Sequence, residues 1–232
     1  MTMIATNLHA VTDRIAQACA RAGRATGSVQ LLAVSKTFGP DAVQQAFDAG
    51  QRAFGENYIQ EAVDKITALA ALPIEWHCIG PIQSNKTRLV AEHFQWVHTV
   101  DRLKIAQRLS DQRPAHLPPL QVCIQVNVDG GPTKSGVLPA EAAALALAVR
   151  ALPRLQLRGI MCIPEPAPDF VAARAVFMSA KAIFDAIVQH GVPLDTLSMG
   201  MSGDLDAAIA GGSTMVRVGS AIFGARHYPG VA

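Results

Sequence analysis

The sequence is poor in charge and in aromatic side chains, and both shortages narrow what the protein can be. Charged residues make up 16% of the 232 residues, aromatic residues make up 5%, and the formal net charge is +2. Without a run of lysines or arginines, no nucleic-acid partner is expected. Half of the residues are hydrophobic. This composition is typical of a compact folded chain and argues against a disordered one.

Paired cysteines and long apolar runs are also absent from the sequence. Cys19, Cys78, Cys123 and Cys162 are far apart and form no C-x-x-C pair, so we interpret them as buried thiols of a reducing compartment. The N-terminus has no basic start followed by an apolar stretch, and the most apolar run, 142–149, is too short to span a bilayer. We therefore expect a cytoplasmic protein with no membrane partner.

Short apolar stretches alternate with helical patterns along the whole chain. The stretches predict eight strands, over 29–35, 52–55, 75–80, 96–100, 120–128, 155–163, 195–200 and 214–219. Helical spacing of Phe170, Phe177 and Phe184 predicts a helix over 169–190. Strict alternation of this kind favours right-handed βαβ units and a parallel sheet. We predict a single (β/α)8 TIM-type barrel over residues 1–232 with an extra N-terminal helix, and an open doubly wound sheet is the alternative.

A lysine follows the first predicted strand, and it allows two interpretations. Lys36 shares a face with Leu32 and Val34, because side chains alternate along a strand. In one interpretation its stem lies on apolar surface while its ammonium group reaches water. In the other it is a partly desolvated amine that can form a Schiff base with a carbonyl compound.

The segment around the seventh and eighth strands suggests an anion site. Ser202 is placed to cap a short helix, and Gly219 with Ser220 follows the last strand, where backbone N–H groups can be presented to a phosphate. An ordinary helix cap and an ordinary glycine turn would leave the same pattern. Arg217 lies inside the last strand, so it either faces a ligand or pairs with a carboxylate such as Asp204 or Asp206.

The histidines do not predict a metal centre. The seven histidines show no metal-ligand spacing, so no metal site is predicted. His77 lies within a predicted strand, and we interpret it as a hydrogen-bonded core histidine.

Five motifs together resemble the pyridoxal phosphate homeostasis protein family, whose members are similar to the N-terminal barrel of alanine racemase. The motifs are AVSKT at 33–37, FGENYIQE at 54–61, WHCIGPIQSNKTRLV at 76–90, TKSGV at 133–137 and LSMGMSGDLDAAIAGGSTMVRVGSAIFGAR at 197–226. The resemblance covers nearly the whole chain and runs through these long, ordered motifs. The resemblance is therefore more specific than any single short pattern.

The resemblance implies pyridoxal 5′-phosphate (PLP) as the cofactor and assigns its contacts. Lys36 would hold PLP as a Schiff base, and Asn57 would lie beside the ring. Arg217 would stand near the pyridine nitrogen. The residues implied to hold the phosphate are Ser202, Gly219 and Ser220.

The sequence departs from the family pattern near the anchor lysine. Some members carry a second lysine where this chain has Phe38, and Gly203 follows Ser202 where an acidic residue is often found. Some members also have threonine at the position of Ser220, which keeps the hydroxyl group. Lys134 is then the nearest lysine that could guide the cofactor, although a solvated loop lysine would look the same.

Three functions are compatible with these residues. The first is a PLP-binding protein that acts in intracellular PLP homeostasis or carriage without efficient catalysis, as a monomer or weak homodimer with PLP-dependent apo-enzymes as recipients. An arginine at the ring nitrogen would disfavour its protonation and weaken the electron sink. The second is an amino-acid racemase, which needs acid–base groups on both faces of the substrate carbon. The sequence offers only Tyr58 and Tyr228 as tyrosines. In the similar racemases one such group comes from a second domain, which we expect this chain to lack. The third is an aldolase that uses a Schiff-base lysine without a cofactor.

Overall fold

Eight parallel strands close into a barrel in the computed structural model, which describes residues 2–131 and 134–225. The strands are β1 (Gln30–Val34), β2 (Ala53–Glu56), β3 (Glu75–Cys78), β4 (Trp96–Val100), β5 (Leu120–Gln125), β6 (Leu155–Met161), β7 (Thr196–Ser198) and β8 (Met215–Val218). Each strand pairs with the next in chain order, and β8 pairs back with β1 through Leu31 opposite Val216. The closure confirms the (β/α)8 barrel and excludes the open sheet.

Helices flank the barrel between its strands. In the described part of the chain they are α1 (Met3–Arg21), α2 (Pro40–Asp48), α3 (Ile59–Ala68), α4 (Thr87–His93), α5 (Leu103–Gln112), α6 (Pro139–Arg150), α7 (Phe170–Gln189), α8 (Leu205–Ala210) and α9 (Ser220–Phe223), with a short 3-10 turn at Ser84–Lys86. α1 precedes β1, which confirms the predicted extra N-terminal helix. Among the described residues, no helix is long and apolar enough to cross a membrane.

The helix ends follow local chemistry. Asp169 caps α7, since its Oδ1 accepts a hydrogen bond of 2.8 Å from the backbone N–H of Ala172. After the helix, Gly191 takes a positive φ of 81°, which glycine adopts without steric cost. α2 starts at Pro40, where proline's missing N–H leaves no further donor unsatisfied.

Strand alternation divides the core into an inner and an outer part. Leu32 and Val34 point into the barrel, where they pack with other small or aliphatic side chains such as Met215. Ala33, between them, packs on the helix side. This alternation continues past the strand end, so residue 36 points toward the barrel mouth.

Six strands end earlier than predicted, by one residue in β1 and β8, by two in β3, β6 and β7, and by three in β5. β5 ends at Gln125 and β6 at Met161, short of the expected 128 and 163. Beyond those residues the chain leaves the barrel wall to build the mouth, where Ile163 lines a cavity. Apolar residues there serve the mouth rather than the sheet, which is why apolarity alone overestimated both strands.

Candidate functional site

A cavity of 230 Å³ lies at the carboxyl ends of the strands. All six residues that the sequence predicted as a site contribute to its wall, namely Lys36, Asn57, Ser202, Arg217, Gly219 and Ser220. They come from the ends of β1, β2 and β8 and from the loop between β7 and α8. The barrel therefore gathers residues that are up to 184 positions apart in the numbering of the chain.

The polar groups of this cavity share it with apolar side chains. Ile79 and Ile163 form part of the wall, and Phe38 stands near Lys36. The Phe38 ring stacks on Phe223 with 5.2 Å between centroids. Phe38 thus belongs to the apolar wall of the cavity.

Lys36 is half-buried, and the backbone of both neighbouring residues forms hydrogen bonds with side chains of α3. The Ser35 carbonyl accepts a hydrogen bond of 2.9 Å from Lys65 Nζ, and the Thr37 N–H donates one of 2.9 Å to Glu61 Oε1. Thr37 also has a φ of 69°, an uncommon conformation for a residue with a side chain. The backbone that carries Lys36 is therefore fixed by contacts from α3.

We call the group that makes these contacts the Lys65 cluster, comprising Ser35, Glu56, Glu61 and Lys65. Lys65 Nζ lies 2.8 Å from Glu56 Oε1 and 2.6 Å from Glu61 Oε1, and the Ser35 hydroxyl donates to Glu56 Oε1 at 2.6 Å. The Lys65 side chain is only 4% exposed, and that of Glu56 is fully buried. Burial raises the pKa of Glu56 and outweighs the opposing effect of Lys65.

Asn57 is brought to the cavity by a close backbone approach. A Cβ atom on Gly80 would lie 2.1 Å from the Asn57 carbonyl oxygen, so only glycine permits this contact. The buried Oδ1 of Asn57 has no hydrogen-bond partner among the described residues. A buried acceptor of this kind is rare in native proteins, and because Asn57 also lines the cavity, a polar ligand bound there can supply the missing donor.

Arg217 is 4% exposed, and backbone and hydroxyl oxygens satisfy part of its guanidinium. Nη1 donates to the Ser198 carbonyl at 2.7 Å and to the Ser198 hydroxyl at 2.8 Å, and Nη2 donates to the Cys162 carbonyl at 2.9 Å. Burial lowers the pKa of Arg217, although an arginine remains charged at neutral pH. Two of its five N–H groups, one on Nε and one on Nη2, take no part in these bonds.

Of the two alternatives that the sequence left open for Arg217, the cavity-facing one is found, and the pairing with Asp204 or Asp206 is wrong. Asp206 instead pairs with two arginines of α1, at 2.6 Å to Arg14 and also with Arg21. Asp204 Oδ1 accepts a hydrogen bond of 2.6 Å from the Met201 N–H. The carboxylates thus hold the loop before α8 and leave the guanidinium of Arg217 to the cavity.

The helix cap predicted at Ser202 is also wrong. α8 begins at Leu205, and its N-cap position is held by Asp204. The bond between Asp204 and Met201 turns the loop so that the helix starts three residues after Ser202. Ser202 therefore lies in the loop that lines the cavity, with its carbonyl held by Arg14 Nη1 at 2.9 Å.

Gly219 and Ser220 follow β8 as predicted. Gly219 holds the N-cap position of the short helix α9, which starts at Ser220. A Cβ on Gly219 would lie 3.1 Å from the Val34 carbonyl oxygen, which is tighter than ordinary contact. The Ser220 side chain is exposed, so its hydroxyl is accessible from the mouth.

Other predicted residues lie away from the cavity. Lys134 pairs with Glu165 at 3.2 Å and does not line the cavity. Tyr58 is 55% exposed. Tyr228 lies outside the described residues.

Two features of the site were missed at the level of sequence. The first is Lys65, which follows Ile59 and Ala62 at a spacing of three along the buried face of α3. A lysine on that face is the pattern that could have revealed it. The second is Gly80, whose role depends on a contact with Asn57. Within residues 2–131 and 134–225, no group of three or more histidine, cysteine or acidic side chains could hold a metal ion.

Comparisons with known proteins agree on one family. A family model described as the alanine racemase N-terminal domain matches residues 6–227. The pyridoxal phosphate homeostasis protein of Pseudomonas aeruginosa is 58% identical over 228 residues, covering 98% of each chain. The structure of PipY from Synechococcus elongatus PCC7942 with PLP bound matches with a TM-score of 0.79 and 38% identity, over 90% of this chain and 100% of that one.

The likeness to racemases is more distant. An alanine racemase from Corynebacterium glutamicum matches with a TM-score of 0.70 at 18% identity, over 99% of this chain and 63% of that one. At this identity the comparison shows a shared fold only.

Proposed function

The chain belongs to the pyridoxal phosphate homeostasis protein family, and from that premise we propose that it binds PLP in the mouth cavity and serves PLP homeostasis or carriage without efficient catalysis. The observation that carries the proposal is that one cavity brings together an amine, a guanidinium and two hydroxyl groups, from Lys36, Arg217, Ser202 and Ser220. An aldehyde that carries a phosphate and a ring nitrogen can use each of these groups.

Each wall residue has a proposed role. Lys36 Nζ attaches PLP covalently as a Schiff base. Ser202 and Ser220 donate hydroxyl hydrogen bonds to the phosphate, and the backbone N–H at Gly219 adds another donor. Asn57 lies beside the ring, where its buried Oδ1, unpartnered among the described residues, can accept a hydrogen bond.

Arg217 sets the character of the site. The two N–H groups of Arg217 that form no bond with the described residues can point at the pyridine nitrogen, while its other donors are held by Ser198 and Cys162. PLP, when bound, supplies an electron sink for carbanions, and that sink is strongest when the ring nitrogen is protonated. A permanent cation beside the nitrogen disfavours that protonation. Arg217 therefore favours binding of PLP without catalysis.

The composition of the wall also supports carriage over racemisation. Racemisation needs a proton donor and a proton acceptor on opposite faces of the substrate carbon. Of the described residues that line the cavity, none is histidine, tyrosine, aspartate or glutamate. Among those described residues, Lys36 alone provides an acid–base group of ordinary catalytic type, so weak activity at most is expected.

The proposal extends to the setting in which the protein works. All four cysteines are free and buried, which suits a reducing compartment such as the cytoplasm. We propose one domain over residues 1–232, acting as a monomer or weak homodimer, with PLP-dependent apo-enzymes as recipients. Transfer of PLP to a purified apo-enzyme, compared with free PLP at the same concentration, tests the recipient.

The absorption spectrum of the purified protein tests the cofactor site directly. The wild type, incubated with PLP and then separated from free PLP, should show a visible band that borohydride bleaches, and Lys36→Ala treated in the same way should not. Lys104→Ala, an exposed lysine on α5, is the matched control and should behave as the wild type. A wild type without the band, or a Lys36→Ala variant that keeps a borohydride-sensitive band, would contradict the proposal.

A racemisation assay separates the two PLP functions. With saturating PLP, the protein should interconvert amino-acid enantiomers slowly or not at all. Robust turnover that disappears in Lys36→Ala would replace carriage by catalysis.

A further inference from the structure

A continuous line of hydrogen bonds crosses the interior of the barrel and ends at Arg217. We call its first four members the histidine chain, comprising Glu75, His77, His98 and Ser198. Glu75 Oε1 lies 2.9 Å from His77 Nε2, His77 Nδ1 lies 2.9 Å from His98 Nε2, and His98 Nδ1 lies 2.9 Å from the Ser198 hydroxyl. The Ser198 hydroxyl in turn accepts from Arg217 Nη1 at 2.8 Å.

The line runs from the opposite end of the barrel to the cavity. Glu75 is the first residue of β3, and its side chain is 43% exposed. His77 and His98 are fully buried. Arg217 lines the mouth cavity. The side chains of four strands, β3, β4, β7 and β8, thus connect solvent at one end with the cavity at the other.

The two ends of the line determine the direction of every hydrogen bond in it. A carboxylate only accepts, so His77 must carry its proton on Nε2, and a neutral His77 then accepts at Nδ1. His98 must therefore donate from Nε2 and accept at Nδ1, which leaves the Ser198 O–H as donor to that nitrogen. The Ser198 oxygen accepts from Arg217, which can only donate. All four bonds are consistent with this single arrangement.

The electrostatics of the interior support neutral histidines and an ionised carboxylate. The hydrogen bond from His77 lowers the pKa of Glu75. Burial lowers the pKa of His77, and burial together with His77 and Arg217 lowers that of His98 well below its ordinary value. The Trp96 ring stacks on His77 at 5.2 Å between centroids and 9° between planes, which restricts rotation of the imidazole.

From this geometry we infer that the histidine chain is a directional link that positions Arg217 for the cofactor, with Glu75 acting on the cavity from the far end of the barrel. The inference rests on the proposed PLP site, and it makes Glu75, His77, His98 and Ser198 positioning residues. The chain supplies Arg217 with an acceptor whose lone pair always faces the guanidinium, because the Ser198 proton is committed to His98. The unused N–H groups of Arg217 are then kept toward the ring.

Nitrogen-15 NMR of the ligand-free protein tests the chain without using PLP. His77 and His98 should both be neutral and protonated on Nε2. Glu75→Gln, which can donate as well as accept, should shift the ring nitrogens of His98 and the side-chain nitrogens of Arg217. Glu92→Gln, the same change on the surface helix α4, should shift neither. The histidine chain would be overturned if His77 or His98 were charged or protonated on Nδ1 in the wild type, or if the effect of Glu75→Gln stopped at His77.

PLP titration followed by absorption tests the positioning role. Ser198→Ala should raise the dissociation constant of PLP about tenfold and shift the visible band, since Arg217 loses its hydroxyl acceptor. Glu75→Gln should raise it about threefold with a smaller shift of the band in the same direction, while Glu92→Gln leaves both unchanged. If the wild type binds PLP and both test variants bind it equally well, the positioning role is wrong and the proposed function stands. If the wild type itself forms no band, the proposed function fails, and NMR still decides whether the chain exists.

Discussion

Two buried polar networks reach the mouth cavity from opposite sides of the barrel wall, and they are built on different principles. The Lys65 cluster lies between β1, β2 and α3 and holds formal charges at short range around Lys65 Nζ. The histidine chain lies inside the barrel, where neutral groups separate the charges of Glu75 and Arg217. The first fixes the backbone on either side of Lys36, and the second fixes the side chain of Arg217.

The pKa values of the two networks move in opposite directions for the same reason. Burial disfavours the charged form of any group. It raises the pKa of Glu56 in the Lys65 cluster and lowers the pKa of His77 and His98 in the chain. The Lys65 cluster therefore depends on keeping every ion, whereas the histidine chain depends on His77 and His98 staying uncharged between Glu75 and Arg217.

Removing the cation of the Lys65 cluster should give the largest effect on stability. Lys65→Met leaves the carboxylate of Glu56 buried without its partner, and breaking a buried pair in this way costs about 3–5 kcal/mol. Urea unfolding measures the loss, with Lys104→Met on the exposed side of α5 as the control. The double variant Lys65→Met with Glu56→Gln should recover part of it. A single variant as stable as the control would show that the cluster is not held by charge.

As the pH is lowered, the histidine chain should begin to lose stability at a higher pH than the pairs that depend on ionised carboxylates. The folded-state pKa values of His77 and His98 lie below the ordinary value of 6.5. As the pH falls through 6.5, the unfolded protein therefore binds more protons than the folded protein does. The free energy of unfolding should then decrease by up to about 1.4 kcal/mol per pH unit for each histidine, until the pH reaches its folded pKa.

The variant His98→Gln separates this effect from the rest of the protein. Glu56 titrates in both proteins, and so does Glu75, whose lowered pKa means that its stabilisation is lost only below about pH 4.5. The difference between wild type and variant therefore reports His98 together with any change in its hydrogen-bonded partner His77. Denaturant unfolding between pH 7 and 5 should show a slope smaller by about 1.4 kcal/mol per pH unit in the variant. Equal slopes would mean that His98 is protonated in the folded barrel.

A backbone contact at the mouth should matter even though it belongs to neither network. In Gly80→Ala the new Cβ would meet the Asn57 carbonyl at 2.1 Å, so the loop that carries Asn57 must move. We expect the dissociation constant of PLP to rise about tenfold, equivalent to about 1.4 kcal/mol. Gly39→Ala has open space around the added atom and is the control. Unchanged affinity in Gly80→Ala would show that the two networks alone determine the site.

The sequence predicted the barrel and the wall of the cavity for a physical reason. Strand alternation and chain order are local properties, and they place Lys36 and Arg217 at the mouth without knowledge of any contact. His77 was predicted to be a hydrogen-bonded core histidine, which its two partners confirm. The histidine chain as a whole was not predictable from the sequence, because it depends on a hydrogen bond between His98 and Ser198, which are 100 residues apart.

The smallest effect is expected from an ion pair that resembles the Lys65 cluster in sequence spacing but not in burial. Arg88 and Glu92 are four residues apart on α4, as Glu61 and Lys65 are on α3, but their side chains are 68% and 36% exposed and their nearest charged atoms are 3.7 Å apart. Water screens such a pair, so Arg88→Ala should change the free energy of unfolding by less than about 0.5 kcal/mol. Urea unfolding beside Lys65→Met measures the contrast. If the two variants lost similar stability, burial would not be what separates the Lys65 cluster from an ordinary helical ion pair.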